Sequence, residues 1–511
     1  MADALPINNN SSDNGDDEEV FDEPPTFIDM NSAVEVQVDD TPAADDDDDD
    51  DAMMDDDEMI HGDHPHANNA SSDEMLSSQP PIIDQSRVTF TSHTDAIYAL
   101  TSHYDNQSNT LTIVSGGGDD RAYLHLLSKT TVNDNQVQTK TIPLGHPHTD
   151  SISCVGLNTM YITQDVSGVV QANHIAVGSY DGAIVLYSAV DGSLVHVFEG
   201  PTDVEWLRFH PRGGTVLLVG SIADGTIWMY HTPSRQCLQV FVGHEGGVTD
   251  GAFTPDGKWI VSCGQDGTVR VWAPKKGVCK HVFRLMDNHG GGGGGEEEEE
   301  GGGGLTCLAV GGGQDGQLAI CGGEDGNAYV VHVSGKKLVA TLTHYEESAA
   351  NNGQPQDNQG RGGGEDGMDE DDDGFIGEPR SVEAVGFCPA NIPGTANWCA
   401  TGGVDGVLKV WNMNVGGIGG AQLRQKCTRG ADAKAGITRL RWHTSLPLVI
   451  ASYTDGVVCI WDARVGKVID SLTGHEDMIN DMDVSFVDGS AAAVIVTGSD
   501  DKSVKMFEYH P

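Results

Sequence analysis

The chain has 511 residues, 66 of them glycine, and sets 28 lysines and arginines against 78 aspartates and glutamates, a formal net charge of −50. Nucleic-acid backbones and anionic membrane surfaces both need lysine and arginine to displace their counterions, so a charge of this sign disfavours either as a partner and favours cationic protein. No stretch approaches the roughly 20 apolar residues of a membrane span, and MADALPINNNSSDNGDDEE lacks a basic segment followed by an apolar run; the expectation is a soluble intracellular protein, cytoplasmic, with nuclear residence also open.

Residues 1–86 hold 27 acids and no lysine or arginine, with seven consecutive aspartates from Asp45 to Asp51. Such a segment cannot bury enough apolar surface to order itself, and it is predicted as a disordered acidic tail. Within it Val20, Phe21, Phe27 and Ile28 lie among acids in a pattern that suits a short docking segment, while His61, His64 and His66 read as unoccupied rather than as a metal site. Residues 87–511 still carry a net charge of −23.

Length alone would allow three or four domains, but an internal repeat overrides it. Between residues 115 and 507 one unit recurs eight times: a small apolar strand, a tight turn around an aspartate, and a second strand ending in a large residue. Its clearest copies are SCGQDGTVRVW, TGGVDGVLKVW and SYTDGVVCIW. The turn aspartates are Asp119, Asp181, Asp224, Asp266, Asp325, Asp405, Asp455 and Asp501, and six residues after each comes His125, Tyr187, Tyr230, Trp272, Val331, Trp411, Trp461 or Phe507. Gaps of 62, 43, 42, 59, 80, 50 and 46 residues separate the aspartates, a basal period near 42 stretched where loops have grown, which fits four-stranded blades of roughly 40 to 45 residues. Three blades carry an upstream histidine, His93, His244 and His475. On these residues the chain resembles the WD-repeat β-propellers, an all-β fold, here with eight blades over 87–511; seven blades and a decayed extra copy is the alternative.

The resemblance implies that the aspartate accepts from the blade's histidine, which in turn reaches a serine or threonine and the tryptophan: His244, Ser262, Asp266 and Trp272 in the fourth blade. That set imitates a catalytic triad, yet it recurs from blade to blade where a nucleophile site would occur once. Asp405, Trp411, Asp455, Trp461 and Asp501 belong to the same structural set. Val177, Gly220 and Val331 break the pattern, so their blades are expected to rely on packing and to open first. Because the last repeat ends on its third strand, Val88 to Thr91 is predicted to supply the missing outer strand.

Two acidic low-complexity loops, 285–304 and 345–379, fall between an outer strand and the next inner one, where insertions leave the sheet intact. The glycines of 290–304 surround five glutamates without a lysine and would repel phosphate. Ten cysteines without a C-x-x-C pair read as reduced thiols, and no G-x-S-x-G or H-E-x-x-H occurs. The sequence therefore assigns no catalytic residue, no metal ligand and no cofactor. A partner site is expected on the rim formed by the loops before the inner strands and the residues before the turn aspartates: Asp95, Asp150, Asp203, Glu205, Glu324, Glu383 and Asp500, with Tyr98 and Tyr180 beside them for cation–π contact.

DVEWLRFHP, the acidic leader running into VTFTSHTDAIYAL, and IWDARVGKVIDSLTGHED carry a narrower resemblance, to the angio-associated migratory cell protein family, over essentially residues 87–508. Long insertions at 290–304 and 346–378 and the length of the tail depart from it. In fungal members the family implies a dedicated chaperone that captures the basic amino-terminal segment of large-subunit ribosomal protein L ten (universal L sixteen) during 60S ribosome biogenesis; animal members are linked to cell migration and signalling. The expected protein is thus a monomeric, non-enzymatic binder of a basic ribosomal segment, with no direct contact to nucleic acid or membrane. A signalling or ubiquitin-ligase scaffold is the alternative, and histone chaperoning a third reading from acidity alone.

Overall fold

Runs of valine, isoleucine and small residues around the aspartate turns fold, in the computed structural model, into eight four-stranded antiparallel sheets. The structure describes residues 82–129, 137–158, 173–286, 303–313, 315–345, 380–413, 420–430, 435–487 and 490–511. The tail features between Val20 and His66 and most of both acidic loops lie outside the described residues. Strands are the regular elements throughout the described residues. The inner strands of blades 1 to 8 are Ile97–Asp105, Ile152–Leu157, Trp206–Phe209, Val248–Phe253, Leu305–Gly312, Val382–Phe387, Ile437–Trp442 and Ile479–Phe486. Each lies beside the next and the eighth lies beside the first, which closes the ring. Eight blades are therefore present, and the alternative of seven with a decayed extra copy does not hold.

Closure uses the segment expected for it. Val88–Phe90 pairs antiparallel with the third strand of blade 8, Val88 opposite Met506 and Phe90 opposite Val504. Residues just upstream are held as well: Lys505 Nζ lies 2.6 Å from Asp84, and the Gln85 amide donates to the Thr473 carbonyl at 2.9 Å.

Apolar side chains from the facing sheets of neighbouring blades fuse into shared cores, as where Val261, Val269 and Val271 of blade 4 meet Leu305, Ala319 and Val331 of blade 5. The broken position Gly220 has a packing reason. A Cβ there would overlap the Trp206 indole, and so would one at Gly251 of blade 4, so the two glycines leave the slot in which Trp206 wedges blade 3 against its neighbour. All ten cysteines are free, seven of them buried and Cys237 exposed.

In blade 4 the expected hydrogen-bonded chain forms: His244 Nδ1 is 3.0 Å from Asp266, His244 Nε2 is 2.8 Å from Ser262 Oγ, and Trp272 Nε1 donates to that oxygen at 2.9 Å. In blade 8, His475 bridges Asp501 and Thr497, both at 2.7 Å. Two further histidines do the same work. His344 contacts Thr401 at 2.8 Å and approaches Asp405 at 3.5 Å, with Trp411 donating to Thr401. His148 reaches Asp181 at 3.2 Å, but its buried Nε2 finds no partner among the described residues, since Val177 replaces the hydroxyl. The other blades substitute different donors: the Thr202 hydroxyl and amide for Asp224, the Tyr329 hydroxyl for Asp325, and a bidentate Arg429 for Asp455, its guanidinium stacked 4.0 Å over Tyr453, which accepts from Trp461 Nε1.

Blade 1 extends the chain by one link, from Asp119 through His93 and Ser115 to His125 and on to Thr141. Burial pushes the His125 imidazole down to about 3, helped by the charge of His93; burial also lowers His93 against the opposing pull of Asp119. A histidine whose folded pKa lies below its unfolded value of about 6.5 stabilises the fold fully above that value and progressively less as pH falls toward the folded one. Between pH 7 and pH 5, His125 alone should remove about 2 kcal/mol. Melting temperature followed against pH should show this decline, and His125→Gln should flatten it; an unchanged slope in the variant would assign the acid sensitivity elsewhere.

Candidate functional site

Seven inner strands begin with a β-bulge at their second residue, seen as a register shift after Ile97, Ile152, Val248, Leu305, Val382, Ile437 and Ile479. A bulge re-aims the extra side chain. Four of these residues use that freedom to bind the next blade: Ser153 donates to the Val204 carbonyl, Thr249 to Leu305 at 2.6 Å, Thr306 to Val382 at 2.5 Å, and Asn480 to Ile97 at 3.0 Å. In blade 3 the Trp206 indole supplies this link, reaching the Val248 carbonyl at 3.0 Å. Glu205, which precedes Trp206, is thereby left without a structural duty to the next blade. Tyr98 and Glu383 occupy the bulge in blades 1 and 6. These three residues face the loop end of the ring.

Glu205 is half-buried and hydrogen-bonded to Tyr180, whose ring is 42% exposed. Burial pushes the Glu205 carboxyl up, and the carboxylates of Asp203 and Asp250 add to the shift against the Tyr180 bond and Arg439. Burial and Glu205 together raise the Tyr180 phenol. Glu383 accepts from the Ser381 hydroxyl, and Tyr98 is 40% exposed. Asp95 and Asp150 are exposed at the loops before their inner strands, where each carboxylate accepts the next residue's amide at 2.9 and 2.7 Å.

Three residues of the expected rim are committed to the scaffold to differing degrees. Asp203 accepts from the Ser221 hydroxyl and from the amides of Ile222 and Ala223, tying the blade 3 turn together. Asp500 accepts from Asn480 Nδ2 at 2.7 Å. Glu324 is exposed but takes the Gly304 amide at 2.8 Å. Sequence reasoning missed Asp477, exposed in blade 8 and accepting the Met478 amide at 2.8 Å, the same geometry as Asp95 and Asp150. The signal was present: HTD, HTD and HED share one histidine-x-aspartate pattern.

The inner strands also carry cations that the acidic rim did not anticipate. Arg208 lies 3.3 Å from Asp250, and Arg439 lies 3.1 Å from Asp481. The same aspartates accept amides from the edge of the following blade, Asp250 from Leu308 and Asp481 from Leu100, while Asp483 accepts from Ser102. Edge amides that would otherwise be unpaired are thus capped by side chains. The exposed or half-buried carboxylates at the loop end include Asp95, Asp150, Glu205, Glu383 and Asp477.

The family model described as WD domain, G-beta repeat, matches residues 235–273, 425–462 and 466–508. The chain is 30% identical over 424 residues to the angio-associated migratory cell proteins of Homo sapiens and Canis lupus familiaris, covering 83% of this chain and 80% of each relative. Among solved structures, Chaetomium thermophilum Sqt1 bound to the N-terminus of the ribosomal protein L10 superposes with a TM-score of 0.59 at 20% identity, covering 84% of this chain and 100% of that one. Saccharomyces cerevisiae Sqt1 superposes with a TM-score of 0.60 at 16% identity and the same coverage, so the fold is shared with both. By its sequence match across four-fifths of its length, the chain belongs to the angio-associated migratory cell protein family of WD-repeat propellers.

Proposed function

We propose that the loop end of the ring captures a basic polypeptide segment without catalysis, as a dedicated chaperone of a large-subunit ribosomal protein of the L10 class during ribosome biogenesis. The protein would act as a monomer in the cytoplasm, with nuclear passage open. The observation that carries this reading is the cluster at the start of the blade 3 inner strand, where half-buried Glu205 lies beside exposed Tyr180: burial first, and then the carboxylates of Asp203 and Asp250, oppose its ionisation, and an arriving lysine or arginine would offset that. Tyr98 and Tyr180 flank that charge with exposed rings suited to guanidinium stacking. A structural neighbour with the same propeller, crystallised with the L10 N-terminus, supports the client class.

Such binding should be steeply salt-dependent, because its exposed charges are screened within about 10 Å at 0.1 M ionic strength. Titration of an L10-type basic N-terminal peptide by calorimetry should therefore lose at least about tenfold in affinity between low and high salt. Glu205→Gln combined with Glu383→Gln and Asp477→Asn should weaken it about tenfold or more while leaving the melting temperature unchanged. Affinity that ignores both salt and these substitutions would place the client on another face. Recovery of several stable partners without ribosomal protein, in a lysate pull-down read by mass spectrometry, would favour the scaffold reading.

A further inference from the structure

The end of the ring opposite the acidic rim carries the opposite sign over three adjacent blades. Antiparallel pairing puts each blade's first loop and last turn at this end, since Phe209, Leu217 and Tyr230 are successive partners across blade 3, and Phe253, Ile260 and Trp272 across blade 4. The exposed cations there are Arg212 and Arg235 on blade 3, Lys258, Lys275 and Lys276 on blade 4, and Lys336 and Lys337 on blade 5. The blades abut at this level: His210 Nε2 lies 3.4 Å from the Gly257 carbonyl, and, although burial pushes the Asp256 carboxyl up, the Thr254 hydroxyl, Lys258 and, least of all, Arg212 across the blade boundary bring it down. Against these seven cations stand Asp256, occupied by the Thr254 hydroxyl and the Lys258 amide, and Asp315, 3.6 Å from His332. A chain of net charge −50 with only 28 lysines and arginines has gathered seven of them on one crescent.

Two of the cations are held at some cost. Arg235 and Lys336 sit at φ of 59° and 46°, at the turn position that Gly192, Gly277 and Gly466 fill in blades 2, 4 and 7. A non-glycine residue in this left-handed region is strained, and glycine would remove the strain. Immediately beyond the turns of blades 4 and 5, Val278 and Leu338 are 46% and 43% exposed. In blades 4 and 5 a lysine and an exposed aliphatic side chain thus stand together at the last turn.

We infer that this crescent is a docking surface for an extended acidic segment of a partner protein, one that intersperses aliphatic residues among its carboxylates. Single-stranded nucleic acid fits less well, for two reasons. Its usual platform is an exposed aromatic face, whereas the exposed apolar side chains here are aliphatic and Lys280 already lies 6.0 Å over the Trp259 ring. A long uniform polyanion would also run beyond the crescent into the negative field of the rest of the molecule, which a short peptide avoids. With its acidic rim at one end and this surface at the other, the ring would hold two partners of opposite charge.

The test uses the full chain and a fluorescein-labelled peptide made of Glu-Glu-Leu-Glu-Glu repeated twice, with a uridine decamer as the nucleic-acid arm, both read by fluorescence anisotropy. Peptide binding should weaken at least about tenfold in Arg235→Glu/Lys276→Glu/Lys336→Glu. It should also weaken in Arg235→Gly/Lys336→Gly, whose melting temperature should equal or exceed that of the parent because the turn strain is relieved. Absence of peptide binding by the parent chain, parent-like affinity in both variants, or tighter binding of the uridine decamer than of the peptide would each overturn the inference. A parent-like affinity in the glycine variant with loss only in the glutamate variant would overturn it too, since repulsion and not a docking contact would then explain the loss.

Discussion

Removal of residues 1–95 should abolish cooperative folding or drive the protein into aggregates, whereas removal of 1–81 should leave the melting temperature within a few degrees of the full chain. The larger deletion takes three things at once. It strips the strand Val88–Phe90 from blade 8 and leaves the edge of Val504–Tyr509 unpaired, an open template for association with other chains. It removes Phe90 from the core it shares with Ile113, Val496 and Met506, worth about 2 to 3 kcal/mol of apolar burial. It also deletes His93, so that Asp119 and Ser115 lose the imidazole between them, at a further cost of about 1 to 3 kcal/mol. Together with the lost ladder bonds these terms rival the whole stability of a domain, about 5 to 15 kcal/mol. The shorter deletion keeps Asp84 on Lys505 and Gln85 on Thr473, contacts that a cut after residue 86 would sacrifice. Differential scanning fluorimetry with light scattering on both truncations makes the comparison, and equal melting temperatures would mean that the ring does not depend on this strand.

Much of this fold is readable in the sequence because each blade repeats one local solution. An aspartate six residues before a large side chain fixes the turn and the register of two strands, and a leading segment without a partner can only complete the sheet that lacks a strand. The staples are less readable because a donor can come from any element that reaches the aspartate. His344 escapes notice since the whole 346–379 insertion separates it from Asp405, and His148 because Val177 removes the hydroxyl that would complete its pattern. Arg429, Thr202 and Tyr329 reach their aspartates from three different places, so no fixed offset describes them.

The rim was legible in its level and partly in its sign. Tyr98, Glu205 and Glu383 do occupy the position where the inner strand starts, because the loop end and the turn end alternate regularly along the repeat. What sequence alone did not give was the bulge. A one-residue register change reverses which side chains face each way along a strand, so the exposure of Arg439, and the placement of Asp250 and Asp481 beside Arg208 and Arg439, follow from the bulges and not from simple alternation. The hydrogen bonds that occupy Asp203 and Asp500 are likewise tertiary, made to Ser221 and Asn480, and composition does not report them.

Asp266→Ala should cost about 3 to 5 kcal/mol, while Asp224→Ala, at the matching turn of the preceding blade, should cost about 1 kcal/mol. The two aspartates have the same place in the repeat and differ in what they hold. Asp266 accepts from buried His244, from the amides of Glu245 and Thr268 and from the Thr268 hydroxyl, and it lies 3.6 Å from Arg270, itself buried. Removing it strands a buried guanidinium and a buried imidazole. Asp224 is exposed and serves Thr202, whose amide and hydroxyl can turn to water. Burial pushes the Asp266 carboxyl up, but its hydrogen bonds, that of His244 foremost, outweigh burial and leave it well below the usual carboxylate range. Its stabilisation is therefore complete above the unfolded value of about 3.9 and is lost as pH falls below that value toward the folded one. Urea denaturation at pH 7 should give the large gap between the two variants, and repeating it at progressively lower pH should narrow the gap once pH passes below about 4. Equal losses at both positions at pH 7 would show that the turn itself, and not the buried chain running from Asp266 through His244 to Ser262 and Trp272, sets the stability of the blade.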